Sequence, residues 1–199
     1  MKRCSWVPLD NPLYCNYHDL EWGKPLHNDQ ALFELLCLES YQSGLSWLTV
    51  LRKRPAFNAV FHNYDIDYVA QFSQAEMASA LQNPQIIRHR LKLSATVNNA
   101  QAVQKVQAEF GSFDAYLWSF VGGNPIDNLV NQEHTVPTQT DLSVKLAKDL
   151  KKRGFKFYWL VKVDLFVQIY YCFLSLTWLN FPRHQESNPV NGDTLKLLN

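Results

Sequence analysis

The sequence predicts an all-α protein. From Asp29 onward, apolar residues recur at helical spacing, and helix start and stop signals separate the segments. No stretch before Gly154 alternates apolar and polar residues as a half-buried strand would. The 199 residues, 47% of them hydrophobic and 14% aromatic, can bury a sizeable core as one domain or two closely packed lobes.

The N-terminal segment, residues 1–24, shows little periodicity. It is crowded with aromatic and potential metal-binding side chains: Cys4, Tyr14, Tyr17, His18, Glu21 and Trp22. Such a segment rarely holds itself together through helix or sheet hydrogen bonds. We therefore expect it to need packing against the body of the protein, or a metal ion.

Two helices joined by a small polar turn follow. The first begins at Asp29 and ends near Gly44, and the second starts at Ser46. This arrangement would aim Glu39 and Trp47 at a common cavity suited to a flat ligand that is cationic or forms hydrogen bonds. The alternative is that Trp47 belongs to the core and Glu39 is a solvated helix residue.

The remaining helices follow from local signals. The second helix is predicted to run to Phe61, with a kink or break at Pro55. A capping box from Ser73 to Glu76 opens a short helix that Asn83–Pro84 stops. The others are a long helix from Leu91 to about Phe110 closed by Gly111, a short helix near 113–120, and one from Asp141 or Ser143 to Gly154, after a loop from 122 to about 139.

Residues 81–102 read as helix, tight turn and helix, with basic residues where the second helix starts. Such a turn directs backbone N–H groups and a helix N-terminus at an anion. With Arg88, Arg90 and Lys92 nearby, the natural ligand is a DNA phosphate, gripped without reading sequence. An ordinary helical hairpin with a solvated basic face is the alternative.

Composition limits the classes of function. The net charge is only +1, so binding to nucleic acid through bulk electrostatics is excluded and local patches must serve. Three basic clusters exist, at 52–54, at 88–92, and at 151–153 with Lys156, and each alone is typical of a solvated face. No signal peptide is visible, and the four cysteines contain no CxxC pair, which indicates a cytoplasmic protein with free thiols or metal ligands.

The tail from Phe157 to Phe181 is strongly apolar and aromatic. Lys162 and Asp164 interrupt it, and its charge-free part, 165–179, is shorter than the roughly 20 residues of a membrane-spanning helix. We therefore expect a buried helix or a malformed segment rather than a membrane span. The polar residues after Phe181 are expected to be disordered.

Several long motifs occur in series: CSWVPLDNPLYCNYHDLEWGKP, LFELLCLESYQSGLSWLTVLRKRPAF, NPQIIRHRLKLSATVNNAQAV, LWSFV and KKRGFKF. In this order and spacing they resemble the DNA-3-methyladenine glycosylase I family of the helix-hairpin-helix superfamily, over residues 1–157. The resemblance implies that fold, with the hairpin at about 76–110. It also implies a monomeric base-excision enzyme that hydrolyses the N-glycosidic bond of 3-methyladenine in double-stranded DNA.

The resemblance assigns the site. Glu39 is implied to be the pocket carboxylate and the catalytic residue, Trp47 the stacking plate, and Tyr14 and Tyr17 further pocket residues. No residue suggests a lysine nucleophile, which predicts a monofunctional glycosylase without lyase activity. Glu39 is expected to recognise the base first, although a general base or a stabiliser of an oxocarbenium-like sugar stays open.

The family also ties its N-terminal segment to its C-terminus with one structural zinc ion. Cys4 and His18 match the first ligand pair. The positions expected for the second pair hold Leu176 and Asn180, which are not zinc ligands, and Cys172 and His184 have the wrong spacing.

The resemblance stops abruptly after Phe157, and we interpret residues 158–199 either as the product of a reading-frame shift near Tyr158 or as true divergence. Two alternatives to an active glycosylase follow. One is a catalytically impaired, DNA-binding relative that lacks the second zinc pair. The other is a small-molecule binding protein that uses the cavity between Glu39 and Trp47.

Overall fold

A computed structural model describes residues 3–4, 6–124 and 140–156. Over these ranges the chain forms α-helices and one 3-10 turn, with no strand. The helices are α1 (Pro12–Leu20), α2 (Asp29–Gln42), α3 (Trp47–Val60), α4 (Ile66–Ala70), α5 (Gln74–Gln82), α6 (Arg90–Phe110), α7 (Phe113–Ser119) and α8 (Asp141–Lys152), and the 3-10 turn is His62–Tyr64. The predicted all-α class is confirmed.

One main core joins the helices. The long helix α6 contacts α2, α4, α5 and α7, and α2 also contacts α3 and α7. Fully buried side chains such as Phe33 and Phe57, from α2 and α3, share this core with Leu93 of α6. The predicted cavity helices and the second helix of the predicted hairpin therefore pack as neighbours.

Local signals placed several helix ends correctly. The Ser73 hydroxyl accepts a hydrogen bond from the Glu76 N–H at 3.2 Å, and Glu76 accepts one from the Ser73 N–H at 2.7 Å, which completes the predicted capping box of α5. At its other end α5 is capped by Asn83, just before Pro84. Helix α6 ends at Gly111, whose φ of 87° suits a residue without a side chain.

Helix α1 was not predicted. Its N-terminus forms because the Asn11 side chain accepts from the Tyr14 N–H at 3.2 Å and Pro12 occupies the first turn, where its missing N–H costs nothing. The expectation that residues 1–24 lack helical hydrogen bonding is therefore wrong for 12–20. The Asn-Pro start signal was present, but the dense aromatic residues obscured the periodicity.

Two further expectations differ from the structure. Helix α3 is not broken at Pro55 but continues through it, and Pro55 lies exposed, where its ring does not disturb the core. The short helix α4 and the preceding 3-10 turn were not predicted, because each is too short to show periodicity.

Most of the predicted loop to residue 139 and the whole tail from Phe157, including Cys172 and His184, lie outside the described residues. Over the ranges that are described, no helix has the length and apolar character needed to cross a bilayer.

Candidate active site

Glu39 lies in the last turn of α2 and is 4% exposed. Both of its carboxylate oxygens are shielded from solvent. The alternative that Glu39 is a solvated helix residue is therefore wrong. Because burying a carboxylate is costly, a buried glutamate beside aromatic rings is a candidate functional group.

The turn after α2 sets the direction of the next helix. Helix α2 ends at Gln42, two residues before the predicted Gly44, which adopts a φ of 78°. Ser46 then caps α3, its hydroxyl accepting from the Thr49 N–H at 3.2 Å. Trp47 is consequently the first residue of α3, and it follows directly on the turn that ends the Glu39 helix.

Trp47 is 5% exposed and belongs to the main core, so the expectation of a core tryptophan holds for its burial. Its ring centroid lies 5.3 Å from that of Tyr17, with a tilt of 58° between the planes. The Trp47 Nε1–H is buried and finds no acceptor among the described residues. Since a buried indole N–H is normally bonded, this donor is available to a ligand.

Tyr14 and Tyr17, the other two predicted pocket residues, both lie on α1. The pKa of the Tyr14 phenol is raised, first by burial and second by the negative charge of Glu39. Tyr14 thus lies within electrostatic reach of Glu39 and stays a protonated donor at neutral pH. The structure therefore couples Tyr14 to Glu39 by charge and Tyr17 to Trp47 by ring contact.

Two further tryptophans, Trp6 and Trp22, make ring contacts with Tyr14 and Tyr17. The Trp6 ring lies 5.6 Å from Tyr14, 5.4 Å from His18 and 5.1 Å from Trp22. Trp22 in turn lies 6.4 Å from Tyr17. Sequence reasoning gave neither tryptophan a role, although their density in residues 1–24 was the available signal.

Cys4 and His18, the predicted metal ligands, are both buried and face each other. The Cys4 Sγ lies 3.3 Å from His18 Nε2, close to the roughly 3.5 Å that a tetrahedral zinc ion would set between such ligands. The other ring nitrogen, Nδ1, contacts Asp19 at 3.0 Å, the usual outer partner of a zinc-binding histidine. Arg3 pairs with Asp19 at 2.7 Å, and its hydrogen bond lowers the pKa of that carboxyl to about 2.

These residues fit one half of a zinc site. Within the described ranges no group of three or more potential ligands comes together. A complete set of four would need donors from outside those ranges, where the only noted candidates, Cys172 and His184, also lie.

Arg88 and Arg90 lie exposed at the turn and at the start of α6, as a phosphate contact requires. Lys92 does not. It is 6% exposed, and its ammonium donates to the carbonyls of Tyr41 at 2.8 Å and Ser43 at 2.7 Å. Its prediction as a DNA contact is corrected, because it satisfies carbonyls at the C-terminal end of α2.

Each of the other two basic clusters has one arginine that is committed to the fold. Arg54 donates to Glu34 at 2.8 Å and to Glu21 at 2.6 Å, which links α3 to α2 and to the end of α1. Arg153 pairs with Glu109 at 2.7 Å and Asp149 at 2.6 Å. These two arginines are ion-paired rather than free for phosphate.

Comparison with known proteins identifies the family of the chain. A family model described as methyladenine glycosylase matches residues 6–170, a range that extends past Phe157. The chain is 45% identical over 155 residues to the DNA-3-methyladenine glycosylase of Haemophilus influenzae, covering 78% of this chain and 83% of that protein. It is 44% identical over 157 residues to DNA-3-methyladenine glycosylase 1 of Escherichia coli, covering 79% and 83%.

The fold is also similar to a solved structure. A crystal structure of a tyrosine-to-phenylalanine variant of 3-methyladenine DNA glycosylase I in complex with 3-methyladenine superposes with a TM-score of 0.84. The two sequences are 38% identical, and the match covers 92% of this chain and 97% of the other.

Proposed function

The chain belongs to the methyladenine glycosylase family, and we propose that it selects its base with Glu39, Trp47, Tyr14 and Tyr17. It is a DNA-3-methyladenine glycosylase, a base-excision repair enzyme that hydrolyses the N-glycosidic bond of 3-methyladenine in alkylated DNA. The observation that carries the site assignment is the buried Glu39 carboxylate at the end of a helix whose following turn presents Trp47.

Charge explains how such a pocket selects a damaged base. A 3-methylated adenine nucleotide carries a positive charge that ordinary adenine lacks. Aromatic faces attract a flat cation by about 0.5–2 kcal/mol each, and a buried carboxylate adds a charge-assisted hydrogen bond. The Trp47 and Tyr17 rings and the Glu39 carboxylate therefore favour the cation, once the base has been flipped out of the duplex.

The same charge makes the base a good leaving group. The bond from C1′ to N9 breaks, and its electrons neutralise the departing base. Water forms the new bond at C1′ of the sugar and releases one proton to solvent. We assign Glu39 to recognition first, with stabilisation of the cationic sugar as its further contribution. Tyr14, held protonated by burial and by the charge of Glu39, is a hydrogen-bond donor in the same pocket.

The enzyme is proposed to be monofunctional. Lys92 is the buried lysine next to the end of the Glu39 helix, and burial lowers its pKa. Its Nζ, however, is directed at the Tyr41 and Ser43 carbonyls, which favour the protonated ammonium and hold the nitrogen on backbone oxygens. Base release should therefore leave an intact abasic strand.

For the grip on double-stranded DNA we propose a helix-hairpin-helix unit made of α5, its turn and α6. Arg88 and Arg90 support this role because they are exposed where the turn meets the N-terminus of α6. We further propose a monomer that acts in the cytoplasm, where DNA lies in a cell without a nucleus.

A structural zinc ion is also proposed. Cys4 and His18 would hold it, with Asp19 orienting the His18 ring. Zinc bound there would lock the N-terminal segment and so the positions of Tyr14 and Tyr17. A chain without the second ligand pair would be the catalytically impaired relative named above.

The decisive experiment measures free 3-methyladenine released from methylated duplex DNA. We expect release by the wild-type protein and a loss on the order of 100-fold in Glu39→Gln, because the charge that favours the cation is removed. Glu109→Gln, an exposed carboxylate bound to Arg153, is the matched control and should leave release unchanged.

The same reaction mixture tests the remaining alternatives. DNA strands that break before alkali treatment would contradict the monofunctional assignment. A folded wild-type protein that binds abasic duplex but releases no base would identify the impaired relative. Unchanged affinity of Glu39→Gln for free 3-methyladenine, with cleavage lost, would show that Glu39 does not bind the neutral product and acts only on the charged substrate.

A further inference from the structure

The turn between α5 and α6 presents three consecutive backbone carbonyls to one side chain of another helix. The Lys53 ammonium, on α3, donates to the carbonyl oxygens of Pro84 at 3.1 Å, Gln85 at 3.0 Å and Ile86 at 3.3 Å. An ammonium group has three N–H donors. All three are therefore directed into the hairpin turn.

The rest of the turn is held by two isoleucines and by local hydrogen bonds, such as the one from the Gln85 N–H to Asn83 Oδ1 at 2.9 Å. Pro84 and Gln85 are exposed, while Ile86 is 2% exposed and packs in the main core. Backbone bonding within the turn includes a long contact of 3.4 Å from the Ile86 N–H to the Asn83 carbonyl. Ile86, the partly buried Ile87 and Lys53 thus attach the turn to the body of the protein.

Lys53 lies on the same helix as Trp47. The six residue steps from Trp47 to Lys53 correspond to about 9 Å of helix axis at 1.5 Å per residue. Helix α3 therefore carries the proposed stacking residue Trp47 at its first position. Less than two helical turns later it carries Lys53, which binds the loop between α5 and α6.

We propose that Lys53 is a positioning residue, which fixes the DNA-gripping turn at a set distance from the base pocket. The proposal rests on the proposed function of the hairpin. A flipped base enters the pocket while the hairpin turn binds its neighbouring phosphates. The distance between the turn and the pocket must therefore match the distance between those phosphates and the flipped base. Displacement of a reacting group by about 1 Å can cost 100-fold in rate.

A second lysine, Lys92, also links the hairpin to a helix of the proposed pocket, but here the lysine belongs to the hairpin. Lys92 belongs to α6, the second helix of the hairpin, and donates to the Tyr41 and Ser43 carbonyls at the end of the Glu39 helix. Lys53 runs from a pocket helix to the hairpin, and Lys92 runs from the hairpin to a pocket helix. Both lysines bind backbone carbonyls, so each fixes main-chain position.

The test compares Lys53→Met with Arg52→Met, a matched control that removes the same charge from the exposed neighbouring residue. We expect Lys53→Met to raise the Kd for abasic duplex DNA about tenfold. It should also lower kcat/KM for methylated DNA by about 10- to 100-fold. Its affinity for free 3-methyladenine should stay within about twofold of wild type, which also shows that the variant is folded.

Salt dependence separates a clamp from a phosphate contact. If Lys53 contacted a phosphate, its loss would reduce the slope of log Kd against log salt concentration by about 0.9. As a clamp it should change the Kd and leave that slope unaltered. Lys53→Arg keeps the charge, but its planar guanidinium cannot point three N–H groups from one atom at three carbonyls, so it should restore binding only in part.

Equal behaviour of Lys53→Met and Arg52→Met would overturn the proposal, and so would a full rescue by Lys53→Arg or a slope reduced by one phosphate. Failure of the wild-type protein itself to bind duplex DNA would instead refute the proposed function. The two failures are therefore distinguishable in one set of titrations.

Discussion

The two sides of the base pocket are supported in different ways. Glu39 and Trp47 stand on α2 and α3, inside the main core with side chains such as Phe33 and Phe57. On the other side, α1 inserts Tyr17 into that core. The stretch before α1, however, contributes to a separate small cluster of Cys4, Val7 and Cys15.

The N-terminal side relies on polar pairs and ring contacts. Arg3 binds Asp19, Asp19 binds His18, and His18 faces Cys4. Trp6 covers His18 and reaches Tyr14 with its ring. The difference teaches that Glu39 and Trp47 are supported by the main core, whereas the segment before α1 depends on polar and ring contacts that include the proposed metal ligands Cys4 and His18.

The largest effect should come from the core side. Trp47→Ala removes a large buried side chain and should lower the free energy of unfolding by about 3–5 kcal/mol, measured by urea denaturation. Trp6→Ala, which truncates a tryptophan that is 39% exposed, is the control and should cost much less. If the two substitutions lowered the free energy of unfolding equally, the core would not support Trp47 more strongly than the N-terminal contacts support Trp6.

An intermediate effect should come from the metal side. His18→Ala removes a proposed zinc ligand and should weaken binding of free 3-methyladenine on the order of tenfold, because Tyr14 and Tyr17 lose part of their support. Zinc content and base affinity should fall together, as measured by metal analysis and fluorescence titration.

His27→Ala, which alters a histidine stacked on Trp118 at 4.3 Å, is the matched control for this substitution. It should preserve both zinc content and base affinity. A His18→Ala protein with normal base affinity would show that ring contacts alone position the two tyrosines.

The smallest effect concerns pH. The pKa of Asp19 is lowered from 3.8 to about 2, chiefly by the hydrogen bond from Arg3. A lowered carboxyl pKa stabilises the fold above the unfolded value and loses that contribution as the pH falls from about 4 towards 2. Because the pair is partly exposed, the contribution should be under about 1 kcal/mol.

Thermal unfolding of wild type and Asp19→Asn should therefore differ slightly at pH 6 and converge near pH 2. Asp67→Asn, an exposed aspartate of α4, controls for general charge effects. A difference between wild type and Asp19→Asn that grows as the pH falls would contradict the assigned sign.

Local sequence signals predicted the ends of helices, whereas the family resemblance predicted which distant residues lie together. The capping box at Ser73 and the terminal Gly111 depend on neighbouring residues only, so the sequence was sufficient to place them. The pairing of Cys4 with His18 came from the resemblance, and the structure brings the two together.

The residues whose roles the sequence did not predict correctly are positioned by tertiary contacts. Lys92 was grouped with Arg88 and Arg90 by charge, but helix α6 turns it inward next to the fully buried Leu93. Which lysine of a basic run packs inward is decided by the carbonyls it meets, here those of Tyr41 and Ser43, and a linear pattern does not contain that information. The same holds for Lys53, which was one charge in an undifferentiated run.

The side chain of Asn99 gives the segment after α8 a fixed point. Its amide oxygen accepts from the Lys156 N–H at 2.7 Å, and its amide nitrogen donates to the Lys156 carbonyl at 3.2 Å, so it copies a backbone partner in a sheet. Asn98 adds a bond to the Gly154 carbonyl at 2.8 Å. In evolutionary terms, this clasp constrains positions 98 and 99, because an amide side chain at each of them holds the backbone that follows α8 against α6.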